Sequence, residues 1–232
     1  MFDFLKIIKN YQRGRYYYQP TFITKSSIKD VMTRGGSFYA IYDEETGLWT
    51  KEKTRAIELI DQQVREYAEK DSGEIAMQDT EHGPIIISMS DSANHLVERF
   101  ERFCKTMGDF WVPLDQKMIF SNSEVKKTDY ASKKLDYPLQ EQPTPYYDAL
   151  TSVLYLPDEQ EKWEWAVGAM ISGDSSKIQK MFAFYGEPGK GKSTIISKIF
   201  AEQIFGDEDG YAKKFEANNL CNGNDFATDF LA

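Results

Sequence analysis

Residues 186–194 read GEPGKGKST, a stretch of the form G-x-x-x-x-G-K-[ST]. Gly186, Gly189 and Gly191 let the backbone turn its N–H groups inward around an anion, and Lys192 adds a cation suited to the β and γ phosphates of a nucleotide. Glu187, Pro188 and Lys190 complete the loop; Pro188 is compatible because only some of the loop amides need to donate. Ser193 is placed to hold Mg²⁺ through its hydroxyl, and Thr194 follows it. Upstream, Ile178 to Tyr185 (IQKMFAFY) is an apolar and aromatic run of the length of a buried strand, leading directly into Gly186. Downstream, Ser193 to Phe205 (STIISKIFAEQIF) sets Ile195, Ile196, Ile199, Phe200 and Ile204 along one helical stripe, with Gly206 positioned to end the helix. Strand, loop and helix in that order put the anion site at a helix N-terminus, where orphan N–H groups and the macrodipole both favour phosphate.

The rest of the chain bounds what such a loop can belong to. With 232 residues there is room for two domains, and the composition, 41% hydrophobic and 28% charged, is that of a globular protein. Cys104 and Cys221 stand far apart, and His82 and His95 have no neighbouring ligand pattern, which excludes a structural zinc or disulfide framework and suits a reducing cytoplasm. No apolar run reaches the ~18 to 20 residues of a membrane span, and the N-terminal MFDFLKIIKNYQRGR lacks the pattern of a cleaved signal. The expected location is therefore the cytoplasm, that of a host cell if the gene is a phage's. A net charge of −9 argues against general coating of DNA but leaves room for a local basic groove. Lys6, Lys9, Arg13 and Arg15, followed by Tyr16, Tyr17 and Tyr18, could pair phosphates and stack bases. The competing reading is an amphipathic helix with Phe2, Leu5, Ile8 and Tyr11 packed inward, then a tyrosine-rich strand.

Along the chain, Ser37 to Tyr42 and Gly47 to Lys51 flank DEET and predict a β-hairpin with Trp49 beneath it. Thr54 precedes a long helix with Ile57, Ile60, Val64 and Tyr67 on one face. Lys70 to Pro84 reads as a mobile loop. Ser90, Asp91 and Ser92 offer an N-cap to a helix bearing Leu96, Phe100, Phe103 and Met107 at helical spacing. Trp111 to Phe120 reads as extended, and the prolines within 138–145 mark a linker. Tyr146 to Tyr155 and Asp158 to Ser172 predict two helices ahead of the loop strand. The domains expected are 1–137, an α+β domain; 138–145, the linker; and 146–232, the start of an α/β P-loop NTPase domain.

This order of elements resembles superfamily 3 helicases of the bacteriophage and poxvirus primase-helicase type. Three stretches carry the resemblance besides the loop. GGSFYAIYDEETGLWTKEKTRAIELIDQQVREY is similar to that family's upstream hairpin and helix, MIFSNSEVKKTDYASKKLDYPL to its segment before the motor, and EKWEWAVGAMISGD with IQKMFAFYGEPGKGKST to the helices and first strand of the motor. The resemblance implies an AAA+-like motor, ATP and Mg²⁺ as ligands, Lys192 in the catalytic role, and a hexameric ring on single-stranded or forked DNA working with other replication proteins. It also implies a Walker B acidic strand, an asparagine sensor and an arginine finger, which are expected beyond Ala232. Asp225 and Asp229 are carboxylates near the end of the chain, but neither ends an apolar run of the Walker B kind. The chain by itself is therefore expected to bind nucleotide and to hydrolyse it hardly at all. Two readings from other classes stand beside this one: a non-catalytic assembly or loading module that binds DNA or a partner protein, and a small phosphotransferase built on the same loop.

Overall fold

The computed structural model describes residues 1–12, 15–24, 28–36, 38–71, 77–80, 83–86, 93–206 and 210–213. The chain divides into two compact units: Met1–Leu114 with Val125–Ser132, and Asp115–Glu124 with Lys133–Ala232. The proline-rich stretch 138–145 thus lies inside the second unit.

The first unit opens with strands β1 (Leu5–Gln12) and β2 (Arg15–Phe22), paired antiparallel from Leu5↔Phe22 to Gln12↔Arg15. This corrects the helix expected over the first residues. Phe2 and Leu5 are buried, but Ile8 is 39% and Tyr11 65% exposed, whereas Ile7 and Tyr18 face the core. A period of two, Leu5 and Ile7 inward with Lys6 and Ile8 outward, has displaced the period of 3.6 because the β-branched and aromatic residues find a pairing partner. The predicted hairpin forms as β4 (Phe38–Asp43) and β5 (Leu48–Thr50), joined to β3 (Val31–Arg34) in a three-stranded antiparallel sheet of order β3-β4-β5. Gly47 closes its turn at φ 72°, donating its N–H to the Asp43 carbonyl at 2.9 Å. Trp49 is buried beneath; its Nε1–H donates to the Lys127 carbonyl at 3.0 Å and its backbone N–H to the Ala131 carbonyl at 2.7 Å.

Helix α1 (Lys53–Asp71) buries Ala56, Leu59, Ile60, Val64 and Ala68, so its apolar stripe is shifted from the predicted one and leaves Tyr67 exposed. Helix α2 (Ala93–Met107) buries Phe100, Phe103 and Cys104. Phe4, just ahead of the ribbon, packs on α2, its ring centroid 5.5 Å from Phe103 and 6.2 Å from Phe100. Between the two helices, β6 (Met77–Thr80) and β7 (Gly83–Ile86) pair antiparallel where the sequence predicted a loop to Pro84; pairing of 77–80 with 83–86 recruits backbone that composition alone reads as turn. Ser90, Asp91, Ser92, His82, Cys221, Asp225 and Asp229 lie outside the described residues. Asp43 is buried and accepts from Arg55 Nε at 2.9 Å and Nη2 at 2.8 Å, and the same Nη2 reaches Glu45 at 2.7 Å. The Arg55 guanidinium, helped by Gln62, holds the Glu45 carboxyl below the usual carboxylate range.

The second unit is helical where it is regular. Helices α3 (Pro145–Leu154) and α4 (Pro157–Ser172) form as predicted, each with proline in its first turn. Gly173 ends α4 at φ 82°, and a Cβ there would stand 2.6 Å from the Gln116 carbonyl oxygen. A short α5 (Ser175–Ile178) follows and takes up Ile178. The predicted strand 178–185 does not form. Residues 179–185 have neither helix nor strand pairing, and Met181 is 95% and Tyr185 94% exposed. A strand exists only through its neighbours, and no other strand occurs among the described residues of this unit. Beyond the loop, Thr194–Ile204 is a π-helix, whose last turn is closed by the Phe205 N–H donating to the Phe200 carbonyl at 2.8 Å. No helix among the described residues is long and apolar enough to cross a membrane.

Candidate phosphate-binding site

The loop 186–194 leads from the unpaired segment into the π-helix. Gly186, Gly189 and Gly191 take φ values of 147°, 77° and 77°, all in the region that L side chains avoid. Gly191 is constrained twice over: a Cβ there would meet Leu154 Cδ1 of α3 at 2.8 Å. A side chain at 191 is strained by the backbone itself, and the end of the Leu154 side chain would have to turn aside for it.

Those turns leave the backbone donors open. Among the described residues no carbonyl accepts the backbone N–H of Gly189, Lys190, Gly191, Lys192 or Ser193; the first amide past them to find one is Ile195, donating to the Gly191 carbonyl at 3.1 Å. Lys192 bends back over the same loop, its Nζ donating to the carbonyls of Gly186 at 2.9 Å and Glu187 at 2.6 Å. Glu187, Pro188, Gly189 and Lys190 are exposed. Ser193 precedes the helix at φ −66°, ψ −30°, and its exposed hydroxyl makes no capping hydrogen bond. Thr194 is exposed and begins the helix. Open amides, an ammonium and a hydroxyl at one helix N-terminus form a donor set that fits a chain of phosphates, with the Ser193 oxygen available to a Mg²⁺ that accompanies it.

The helix behind the loop is anchored by an aromatic cluster. Ile195 and Phe200 are buried with Trp163 of α4, whose ring centroid lies 5.0 Å from Phe200, 5.7 Å from Tyr147 and 6.1 Å from Tyr155. Burial, then the neighbouring Glu164, raises the Tyr147 hydroxyl's pKa, and that hydroxyl donates to Glu164 at 3.1 Å. Burial also raises the Tyr155 hydroxyl, which has no hydrogen-bond partner, as is true of Trp163 Nε1. A cavity of about 520 Å³ adjoins the π-helix, with Met118, Met170, Phe182, Phe184, Phe200 and Phe205 among the residues that line it.

All nine loop residues singled out in the sequence lie together, and the contact that sequence reasoning missed is Leu154 on Gly191. Nothing in the local pattern marks Leu154, since it is one of several apolar residues on a short helix. The stripe on the π-helix also differs from expectation. Ile195 and Phe200 are buried and Ile199 and Ile204 partly so, while Ile196 is 40% exposed. Bonds from i to i+5 widen the turn, so residues five apart share the inner face and Ile196 rotates off it. No cluster of three or more His, Cys, Asp or Glu side chains that could hold a metal ion by itself occurs among the described residues. In comparisons with known proteins, no family model, no curated protein and no solved structure matches the chain.

Proposed function

We propose that this chain binds the phosphates of a nucleoside triphosphate, ATP with Mg²⁺, through residues 186–194. The observation that carries the reading is the run of open backbone amides from Gly189 to Ser193, with the Lys192 ammonium held over the same loop. In this reading the amides and Lys192 hold the phosphate oxygens, and Ser193 supplies a ligand to Mg²⁺. Lys192 exchanges the loop carbonyls for phosphate oxygens, a stronger, charge-assisted pairing. The fuller form of the proposal is the ATP-binding portion of a viral or phage replicative DNA helicase of the primase-helicase type, which as a hexameric ring on single-stranded or forked DNA would couple hydrolysis to DNA unwinding once completed by Walker B, sensor and arginine-finger elements. That form rests on the order of sequence elements around the loop.

A second reading is a non-catalytic assembly or loading module. The exposed Met181 and Tyr185 favour it, because apolar side chains open to water mark surfaces that meet other proteins. Titration with a fluorescent ATP analogue tests the first reading. Lys192→Ala is expected to weaken binding by about a hundredfold, the loss of one charge-assisted contact of about 2 to 3 kcal/mol, with unchanged circular dichroism. Equal binding by parent and variant would remove the loop from the account.

A further inference from the structure

The cavity of about 520 Å³ beside the π-helix is separate from the phosphate-binding loop: the residues that line it all belong to the second unit, and none of them lies in 186–194. A space of this size is within the range of about 300 to 1,000 Å³ that small organic molecules occupy in proteins. Most of its wall is apolar, and the charged residues in the lining are Asp115 and Lys213, one of each sign.

The π-helix builds one side of this wall. Bonds from i to i+5 set Ile196 with Ala201 and Phe200 with Phe205, and all four line the cavity. Phe200 is buried, but Ile196 is left 40% exposed. Two other residues of the lining are open to the same degree, Met170 of α4 at 41% and Phe182 at 41%. Apolar side chains scattered singly over a surface need no explanation, but three that border one concavity hold water against apolar walls, and an apolar ligand seated there releases it.

We propose that this cavity is a binding site for an uncharged aromatic molecule of two or three rings, seated against Phe182, Ile196 and Phe200. The lining selects the class. Phe182, Phe184, Phe200 and Phe205 supply ring partners, and the polarizable sulfurs of Met118 and Met170 add favourable contacts with aromatic edges. A long-chain carboxylate or a phosphate ester calls for an excess of positive charge, and Asp115 set against Lys213 leaves none. The site is distinct from the nucleotide's, so the proposal stands whether or not the loop binds ATP.

The test is titration of the full chain with N-phenyl-1-naphthylamine, a neutral aromatic amine whose fluorescence rises in apolar surroundings. The expected result is saturable binding of one molecule per chain, unchanged by saturating ATP with Mg²⁺. Met170→Glu with Ile196→Glu puts two carboxylates into the apolar lining and weakens binding by about tenfold or more. Met181→Glu with Tyr185→Glu, at open side chains outside the lining, leaves binding at the parent's value. Urea midpoints equal to the parent's establish that each variant is folded, and if the cavity pair is not, Ile196→Glu alone decides, since that side chain already meets water. Absence of saturable binding, equal binding by parent and cavity variant, equal weakening by both pairs, or displacement of the amine by ATP overturns the proposal.

Discussion

Lys192 and Arg55 show how differently two cations are used in this chain. Lys192 donates to two carbonyls of its own exposed loop, a pairing that costs little to exchange for phosphate. Arg55 instead partners Asp43, whose side chain is only 3% exposed, and Asp43 also receives the Glu45 N–H that shapes the turn. A buried carboxylate that loses its only guanidinium is costly. Arg55→Ala is therefore expected to destabilise the first unit by about 3 kcal/mol or more, read as a fall in the urea midpoint. Glu45→Ala, at the exposed end of the same cluster, is expected to leave the urea midpoint close to the parent's, which makes it the internal control. Cys104 belongs to the same class of buried structural groups. Burial pushes its thiol up to about 12, so it packs as a neutral side chain at neutral pH.

At the scale of elements, the π-helix makes a prediction that an α-helix over the same residues does not. Ile195 and Ile196 are adjacent and chemically identical, yet Ile195 is fully buried and Ile196 is rotated outward. Ile195→Ala is expected to cost about 3 kcal/mol and Ile196→Ala less than about 1, measured by denaturant unfolding of each variant. Equal costs would place both on one α-helical stripe. Which elements the sequence made legible follows from how local their causes are. The DEET turn with its hairpin and the helices expected over 146–155 and 158–172 are fixed by residues within a few positions, and all three are found. The ribbon was not legible because Phe2, Leu5, Ile8 and Tyr11 satisfy helical spacing while Leu5 and Ile7 satisfy strand spacing; the partner strand decides between them. Residues 179–185 illustrate the converse. Their composition suits a strand, but composition cannot supply the neighbour that a strand needs.

For the whole molecule, the candidate site lies within the second unit, as a loop of open backbone amides beside the Lys192 ammonium. In the candidate site, the loop residues were legible because their spacing is itself the chemistry. Leu154 was not, because its contact with Gly191 arises from packing between α3 and the loop. The central claim is that the backbone amides of the loop, rather than surface lysines in general, hold the phosphates. Hydrogen–deuterium exchange of the full chain, followed on peptides spanning 186–194 with Mg²⁺ and ATP, with Mg²⁺ and AMP, and with Mg²⁺ alone, reads those amides directly. The account predicts exchange at Gly189 to Ser193 slowed by about tenfold or more with ATP and little changed with AMP, which lacks the β and γ phosphates. Exchange in this peptide that is the same with ATP as without it would contradict the account.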